Sequence, residues 1–254
     1  MTFSTEDRRE EIITLIRDNG KVKVTDLSQR YGISEVSIRK DLEVLEEQGH
    51  LSRVHGGAVA LNKLYVNMDL NERFKTNASA KKRLAELAAQ FIEDNDTIMM
   101  NAGTTLTYVL RAIRNKKNIS IVTNSIQNAT EAALSSFNVI LLGGELDSKY
   151  QFTYGDDALN QLNNYHATKC ILSVDGISSA SGLTLYYSNE AALAKKMIEC
   201  SGKVIVTADA SKIGKNVFAR ITDASKMNVL ITTESDNSEE LNALKKLGVD
   251  IHEA

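Results

Sequence analysis

The run Ile33-Ser34-Glu35-Val36-Ser37-Ile38-Arg39-Lys40-Asp41-Leu42-Glu43-Val44-Leu45 decides how the first part of the chain is read. Ile38, Leu42 and Leu45 recur at i, i+4 and i+7, the apolar face of a helix. Ser34 stands where an N-cap belongs, its hydroxyl placed to accept a free helix N–H. Just upstream, Gly32 breaks a second helix that carries Leu27 and Tyr31 and that Thr25 or Asp26 can cap. Two helices joined by a very short turn containing glycine are a helix-turn-helix. Working outward, Ile12, Ile13 and Ile16 give a first helix over 5–18, ended by Asn19-Gly20, and Val22 and Val24 form a short extended piece. On the other side Gly49 closes the third helix. Leu51 to Val59, with His55-Gly56-Gly57 inside it, reads as a small extended wing. The first 60 residues are therefore predicted to be an α-rich winged helix-turn-helix.

With one face of the third helix buried, Glu35, Val36, Ser37, Arg39 and Lys40 face outward at its start, next to Ser34. This is the end of a recognition helix that enters the major groove. Arg39 can reach guanine with two hydrogen bonds or hold a phosphate, and a serine hydroxyl can bond either. Arg53 and His55 on the wing can hold backbone or minor groove. The same side chains also suit a plain solvated face. Charge does not separate the two readings, because residues 1–57 hold nine Lys/Arg against eleven Asp/Glu, where a basic footprint is usual. Positive surface must be local, from Arg39, Lys40 and Arg53, with Glu43, Glu46 and Glu47 turned away.

The order of residues says more than the periodicity. Arg9-x-x-Ile12-Ile13, Gly20-x-Val22-x-Val24-x-x-Leu27, the run from Ile33 to Leu45, and then Gly49-x-Leu51-x-Arg53-x-His55-Gly56-Gly57-Ala58 resemble the N-terminal signature of the DeoR family of bacterial transcriptional regulators. Ser37 departs from it: the family usually has threonine there, so a hydroxyl is kept and a methyl lost.

Residues 61–77 are polar, aperiodic and rich in asparagine, the composition of a linker. From Ala78 the texture changes. Apolar runs at 97–100, 119–124, 138–142, 169–174, 203–208 and 228–232 alternate with helical stretches. That alternation predicts an α/β domain over 78–254 with a mostly parallel sheet covered on both faces. Ligands bind such sheets outside the carboxyl ends of the strands. Asn101, Gly103, Thr104, Thr105, Asn124, Gly143, Gly144, Asp175, Gly176 and Lys212 all follow strand ends. Strand, Asn-Ala-Gly-Thr-Thr, then helix is a plausible anion cup, with close backbone approach at Gly103, free N–H groups and two hydroxyls. Lys212 can neutralise a phosphate. Each of these residues taken singly also suits a turn that satisfies its own backbone.

Here too the motif order resembles the DeoR family, in its C-terminal effector domain, which is related in fold to ribose-5-phosphate isomerase and the CoA transferases. The family's Asp-x-Gly-Thr-Thr matches 101–105, its Thr-Asn turn Thr123-Asn124, its Gly-Gly turn Gly143-Gly144, its Asp-Gly Asp175-Gly176, and its Asp-x-Ser-Lys 209–212. Glu190 sits where a Glu-Ala opens a helix. An amide at Asn101 replaces the usual carboxylate; it can bond sugar hydroxyls but cannot act as a general base. The resemblance implies a repressor of a carbohydrate catabolic operon, released from double-stranded operator DNA by a phosphorylated sugar or sugar derivative. It implies a homo-oligomer, dimer or tetramer, on two-fold-related half-sites.

Composition narrows the alternatives. The 254 residues carry 30 Lys/Arg and 33 Asp/Glu, a balance close to neutral, with 43% hydrophobic residues, as in ordinary globular proteins. No apolar run approaches the ~20 residues of a membrane span. The start lacks a signal-peptide pattern, so a cytoplasmic protein without a membrane partner is expected. The four histidines and two cysteines show no metal-ligand spacing, and neither nucleophile elbow nor phosphate loop appears. We expect no metal, no cofactor and no catalytic residue. The alternative is a sugar-phosphate isomerase-like enzyme with an attached DNA-binding module, with Glu190 and Asp175 as its acid–base pair.

Overall fold

A computed structural model describes residues 4–19, 21–47, 50–54, 56–60 and 70–254. The chain divides into two compact units, Met1–Met68 and Asp69–Ala254.

The first unit opens with α1 (Thr5–Asn19), β1 (Lys21–Lys23), α2 (Val24–Tyr31) and α3 (Glu35–Glu47), followed by the wing strands β2 (Leu51–Val54) and β3 (Gly57–Ala60). Ser4 caps α1, accepting the Asp7 N–H at 3.1 Å and donating to the Asp7 carboxylate at 2.6 Å. Ile12, Ile16, Leu27, Ile38, Leu42, Leu45 and Leu51 are buried together, as the 3.6-residue spacing requires. A buried ionic joint lies beside this core. Asp41, on α3, accepts from Nε of Arg8 at 2.7 Å and of Arg9 at 2.9 Å, both on α1.

The expected cap of α2 by Thr25 or Asp26 is corrected. The helix starts at Val24, directly after β1, with no side-chain cap. Strand β1 pairs antiparallel with β3, and the Val24 N–H donates to the Gly56 carbonyl at 2.9 Å. The wing therefore satisfies the donor that a cap would otherwise take. Gly32 ends α2 at φ +65°, a left-handed position that costs glycine little. His55, Gly49 and Gly20 lie outside the described residues.

Part of the expected linker is structured. Residues 61–69 lie outside the described residues, but Leu70–Lys75 form a helix, α4. It belongs to the second unit. There follow α5 (Ala78–Ala89), β4 (Thr97–Met100), α6 (Thr104–Ala112), β5 (Ser120–Thr123), α7 (Ile126–Ala133), β6 (Asn138–Leu141), β7 (Glu145–Asp147), β8 (Phe152–Tyr154), α8 (Asp156–Leu162), β9 (Ala167–Ser173), β10 (Gly176–Ser178), β11 (Gly182–Leu185), α9 (Ser188–Glu199), β12 (Ser201–Thr207), β13 (Ala219–Thr222), β14 (Val229–Thr232), α10 (Ser238–Lys246) and β15 (Asp250–Glu253).

Seven strands make one sheet in the order β15-β14-β12-β9-β4-β5-β6, every pair parallel. Side chains alternate between two apolar cores. Met99, Cys170, Leu172, Val206 and Leu230 join one with α8, α9 and α10. Ile98, Met100, Ile171, Ile205 and Ile231 join the other with α5 and α6. Coverage on both faces explains why these strands read as unbroken apolar runs. From β4 the chain winds outward to β5 and β6. It then returns to place β9 on the other side of β4 and continues to β15. The reversal falls between β4 and β9, and such a switch point opens a crevice at the strand ends. Two small antiparallel sheets, β7-β8 and β10-β11-β13, sit outside the main sheet.

Leu42 is about as buried as a side chain can be, at 1% exposure. Leu42→Ala is expected to destabilise the winged unit by about 2–5 kcal/mol, read as earlier loss of helical circular dichroism in a urea titration.

Candidate functional site

In the first unit the sequence places its candidates at the start of α3. Ser34 Oγ accepts the Ser37 N–H at 3.3 Å and lies 3.0 Å from the Ser37 hydroxyl. The serine pair thus caps the helix and points its hydroxyls outward. Val36 is an apolar side chain left 72% exposed; thymine methyls are bound by such side chains. Ser37, Arg39 and Lys40 are exposed and Glu35 half-buried. Arg39 pairs with Glu35 at 2.7 Å, one turn back. An exposed pair of this kind is worth only about 0.3–0.5 kcal/mol, so Arg39 is easily transferred to another acceptor.

The wing corrects one expectation. Glu43 and Glu46 are not turned away: Arg53 lies 2.8 Å from Glu46 and 3.7 Å from Glu43, and Glu46 also accepts the Arg53 backbone N–H at 2.7 Å. Strand β2 runs back along α3, so Arg53 lands beside that helix's acidic last turns. Arg39, Glu46, Arg53 and Val54 line one open groove between α3 and the wing.

In the second unit the strand ends on either side of the switch point are tied together by Asn101. Its Oδ1 accepts the Ser173 N–H at 2.9 Å, and its Nδ2 donates to the Ser173 carbonyl at 3.0 Å and to Glu190 Oε1 at 3.2 Å. The side chain is wholly buried. Expected to bond a sugar hydroxyl, Asn101 instead commits both amide hydrogens to the protein and braces β4 against β9. A carboxylate here would face the Ser173 carbonyl and Glu190 without a proton to donate, so the amide fits its surroundings. Gly103 follows the brace. A Cβ at this position would meet the Ser173 Cβ at 2.6 Å, so only glycine lets α6 begin this close to β9.

Thr104 and Thr105 form the first turn of α6, two residues earlier than the periodicity suggests. The Thr104 hydroxyl is buried with no hydrogen-bond partner among the described residues, and so is Oδ1 of Asn124 at the end of neighbouring β5. The Asn124 amide otherwise serves structure, donating to the Thr153 carbonyl at 3.0 Å. Gly143 and Gly144 belong to the crossing towards β8: Gly143 donates to Gln161 at 3.1 Å, and a Cβ on Gly144 would strike the Tyr154 carbonyl at 2.3 Å.

Glu190, in the first turn of α9, is buried against Asp175. Burial, reinforced by the Asp175 and Asp147 carboxylates and opposed by Arg73 and Asn101, pushes its carboxyl up to about 8. Asp175 accepts the Tyr186 N–H at 3.1 Å. Gly176 brings the loop after β12 close, since a Cβ there would meet the Lys215 carbonyl at 2.7 Å. That loop holds Lys212 at the end of a 3-10 turn, which Asp209 caps by accepting the Ser211 N–H at 2.9 Å.

Three cations at this site escape the sequence reading. Arg73, on α4, lies over the Tyr150 ring at 4.3 Å. Lys215 is held down to about 8 by burial and by Lys212. Lys81, on α5, shares the buried stripe of Leu84, Ala85 and Ala88. That stripe carries the signal that would have found it, a lysine at i with apolar residues at i+3, i+4 and i+7.

A winged helix-turn-helix joined to an α/β domain with a polar switch point is the build of a one-chain transcriptional regulator. The comparisons agree. The DeoR-like helix-turn-helix domain matches residues 8–63, and the DeoR C terminal sensor domain matches residues 76–234. The chain belongs to the DeoR family of transcriptional regulators. It is 32% identical to the lactose phosphotransferase system repressor of Streptococcus mutans, over 91% of this chain and 93% of that protein. It is also 32% identical to the glycerol-3-phosphate regulon repressor of Escherichia coli K12, over 89% of each. Among solved structures, ribose 5-phosphate isomerase from Plasmodium falciparum aligns with 53% of this chain and 52% of its own, with 21% identity and a TM-score of 0.40. No helix among the described residues is long and apolar enough to cross a membrane.

The raised carboxyl of Glu190 makes stability fall with pH. Below its ordinary value of 4.5 the group is protonated folded and unfolded alike. Between there and about 8 only the unfolded chain ionises, so folding is progressively penalised, and above that the deficit is constant. Glu190→Gln keeps an acceptor for Asn101 and removes the titration. We expect the variant to gain on the parent protein across this window, by up to a few kcal/mol, in unfolding free energies measured at stepped pH.

Proposed function

We propose that the protein is a repressor of a carbohydrate catabolic operon that leaves its operator when a phosphorylated sugar or sugar derivative binds at the switch point of its sheet. The observation that carries the ligand site is the pair of buried oxygens without a partner among the described residues, Thr104 Oγ1 and Asn124 Oδ1, at the ends of adjacent strands. Buried polar atoms are nearly always satisfied, and these lie where α6 turns its free N–H groups towards the crevice. In our reading the phosphoryl group sits at that N-terminus, Lys212 balances its charge, and Asp175 and Glu190 face the sugar. Asn101 braces the floor. The relatives named for lactose and glycerol-3-phosphate regulons support a small phosphorylated metabolite.

Operator contacts are assigned to Ser34, Val36, Ser37, Arg39 and Lys40, with Arg53 and His55 on the wing. Two winged units in a homo-oligomer would read inverted half-sites one or more helical turns apart. One observation favours a second reading: Glu190, poised near neutrality beside Asp175, resembles an acid–base pair. We place no turnover there, because proton transfer along a sugar calls for a carboxylate where Asn101 stands.

The test is a mobility-shift titration on the DNA upstream of the gene's own operon, at fixed salt, with and without a panel of sugar phosphates. Relief of binding by one compound is expected, and turnover of any of them would move the assignment to the enzyme. Arg39→Ala should weaken operator binding by about 1–3 kcal/mol; wild-type affinity would remove it from the interface. Lys212→Ala should leave DNA binding intact and blunt release.

A further inference from the structure

An open sheet has two edges, and each presents backbone N–H and carbonyl groups with which another strand can pair. The main sheet ends at β15 on one side and at β6 on the other. The two edges are built differently. Strand β15 is Asp250-Ile251-His252-Glu253, and Asp250 and His252 lie 2.9 Å apart on it. Charged side chains of this kind keep natural edges from pairing. Strand β6 has none. From Ala132 to Gly144 the chain carries no charged residue and no proline. Its register with β5 runs unbroken through Asn138–Leu141, so no bulge turns the edge aside. Leu141 is 43% exposed on the strand, and Leu134 is 72% exposed at the cap of the preceding helix, α7.

The backbone of β6 shows which groups face outward. The Asn138 N–H donates to the Ile119 carbonyl at 3.0 Å, and the Leu142 N–H donates to the Thr123 carbonyl at 2.9 Å. Alternation along a strand therefore turns the backbone of Asn138, Ile140 and Leu142 towards β5. It turns the N–H and carbonyl groups of Val139 and Leu141 away from the sheet. Among the described residues no strand pairs with that side.

We propose that the β6 edge is the surface on which a second copy of this chain docks, β6 against β6 in antiparallel register about a two-fold axis at Ile140. With Ile140 opposite itself, Val139 of each copy faces Leu141 of the other, and each such pair exchanges both of its N–H···O bonds. The exposed Leu141 side chain is covered by Val139 of the other copy. A two-fold axis brings the groups near it together with their own copies, so charge there would repel. A strip free of charge avoids that conflict, and it gives a foreign partner no charged group to select. The charged β15 edge stops the sheet from growing further, so assembly closes at this joint. The joint goes beyond the operator and ligand contacts proposed above and depends on neither. It names the surface for the homo-oligomer of that reading.

The test uses the full chain. Sedimentation velocity over a dilution series is expected to show self-association of the wild type. Leu141→Lys buries an unpaired ammonium in each half of the joint and should raise the dissociation constant about tenfold or more. Leu247→Lys, at an exposed leucine between α10 and β15, should leave it unchanged. Cross-linking reads the register. Ile140→Cys sets two cysteines about 4.5 Å apart between Cα atoms, within disulfide reach, and should give a covalent dimer on a non-reducing gel. Asn138→Cys, about 13 Å from its own copy, should not. A wild type that stays monomeric would bring down this joint and the homo-oligomer together. The wild-type constant in Leu141→Lys, or an equal loss in Leu247→Lys, would overturn the joint and leave a homo-oligomer with its interface elsewhere. Weakening in Leu141→Lys without a cross-link in Ile140→Cys would overturn the two-fold pairing. If Ile140→Cys does not fold, Leu141→Lys, made at an exposed position, decides.

Discussion

Everything at the switch point depends on one carboxamide. The reversal of winding between β4 and β9 leaves two strand ends side by side with no ladder between them beyond Met100 and Ile171. Asn101 closes that gap by offering a donor and an acceptor to the backbone of a single residue, Ser173. A fully buried position makes the choice severe, because an unmatched polar group there costs about 1–3 kcal/mol. Only an amide satisfies the Ser173 N–H and carbonyl together while still donating to Glu190. The brace also fixes where α6 begins, since Gly103 is pressed on the same serine. The departure from the family's carboxylate is thus matched by its neighbours, and it spares Glu190, already facing the charges of Asp175 and Asp147, a further carboxylate within hydrogen-bond reach.

The parallel sheet was legible because each of its inner strands is buried on both faces and so reads as an apolar run. The small sheets were not. Strands such as Glu145–Asp147 and Gly176–Ser178 have three residues each, too few for an alternation to register, and β15 is the charged edge Asp250-Ile251-His252-Glu253. The candidate site was legible at its strand ends, where glycines, threonines and amides cluster after apolar runs. Its cations were not, because Arg73 comes from a helix of six residues inside a stretch whose composition reads as linker. Lys81 is a different case. Its spacing to Leu84 and Ala88 placed it on the buried face, and the missing step was to ask what a buried lysine would hold.

The winged unit shows how a domain with more acidic than basic residues can present a cationic end. Four of its arginines are engaged within it: Arg8 and Arg9 in the buried joint with Asp41, Arg30 with Glu11, and Arg53 with Glu46. The joint cannot be lent to DNA, for withdrawing either arginine would leave a buried carboxylate short of charge. The exposed pair of Arg39 with Glu35 can be lent, at the small cost of a solvated ion pair. Under the operator contacts proposed above, recognition would fall to the few groups at the start of α3 whose present partners are weak, and net charge would be a poor guide to whether such a unit meets nucleic acid.

The same contrast bears on signalling. A ligand shifts an equilibrium only by its difference in affinity for the two states, so the signal must pass through a contact whose strength changes when the ligand arrives. The brace at Asn101 is complete without a ligand and has little left to gain. Lys81 differs on each count. It is buried among other cations, burial and those cations hold its pKa down, and one of its three N–H groups has no acceptor among the described residues. A contact to this ammonium therefore has strength still to gain, which the brace does not.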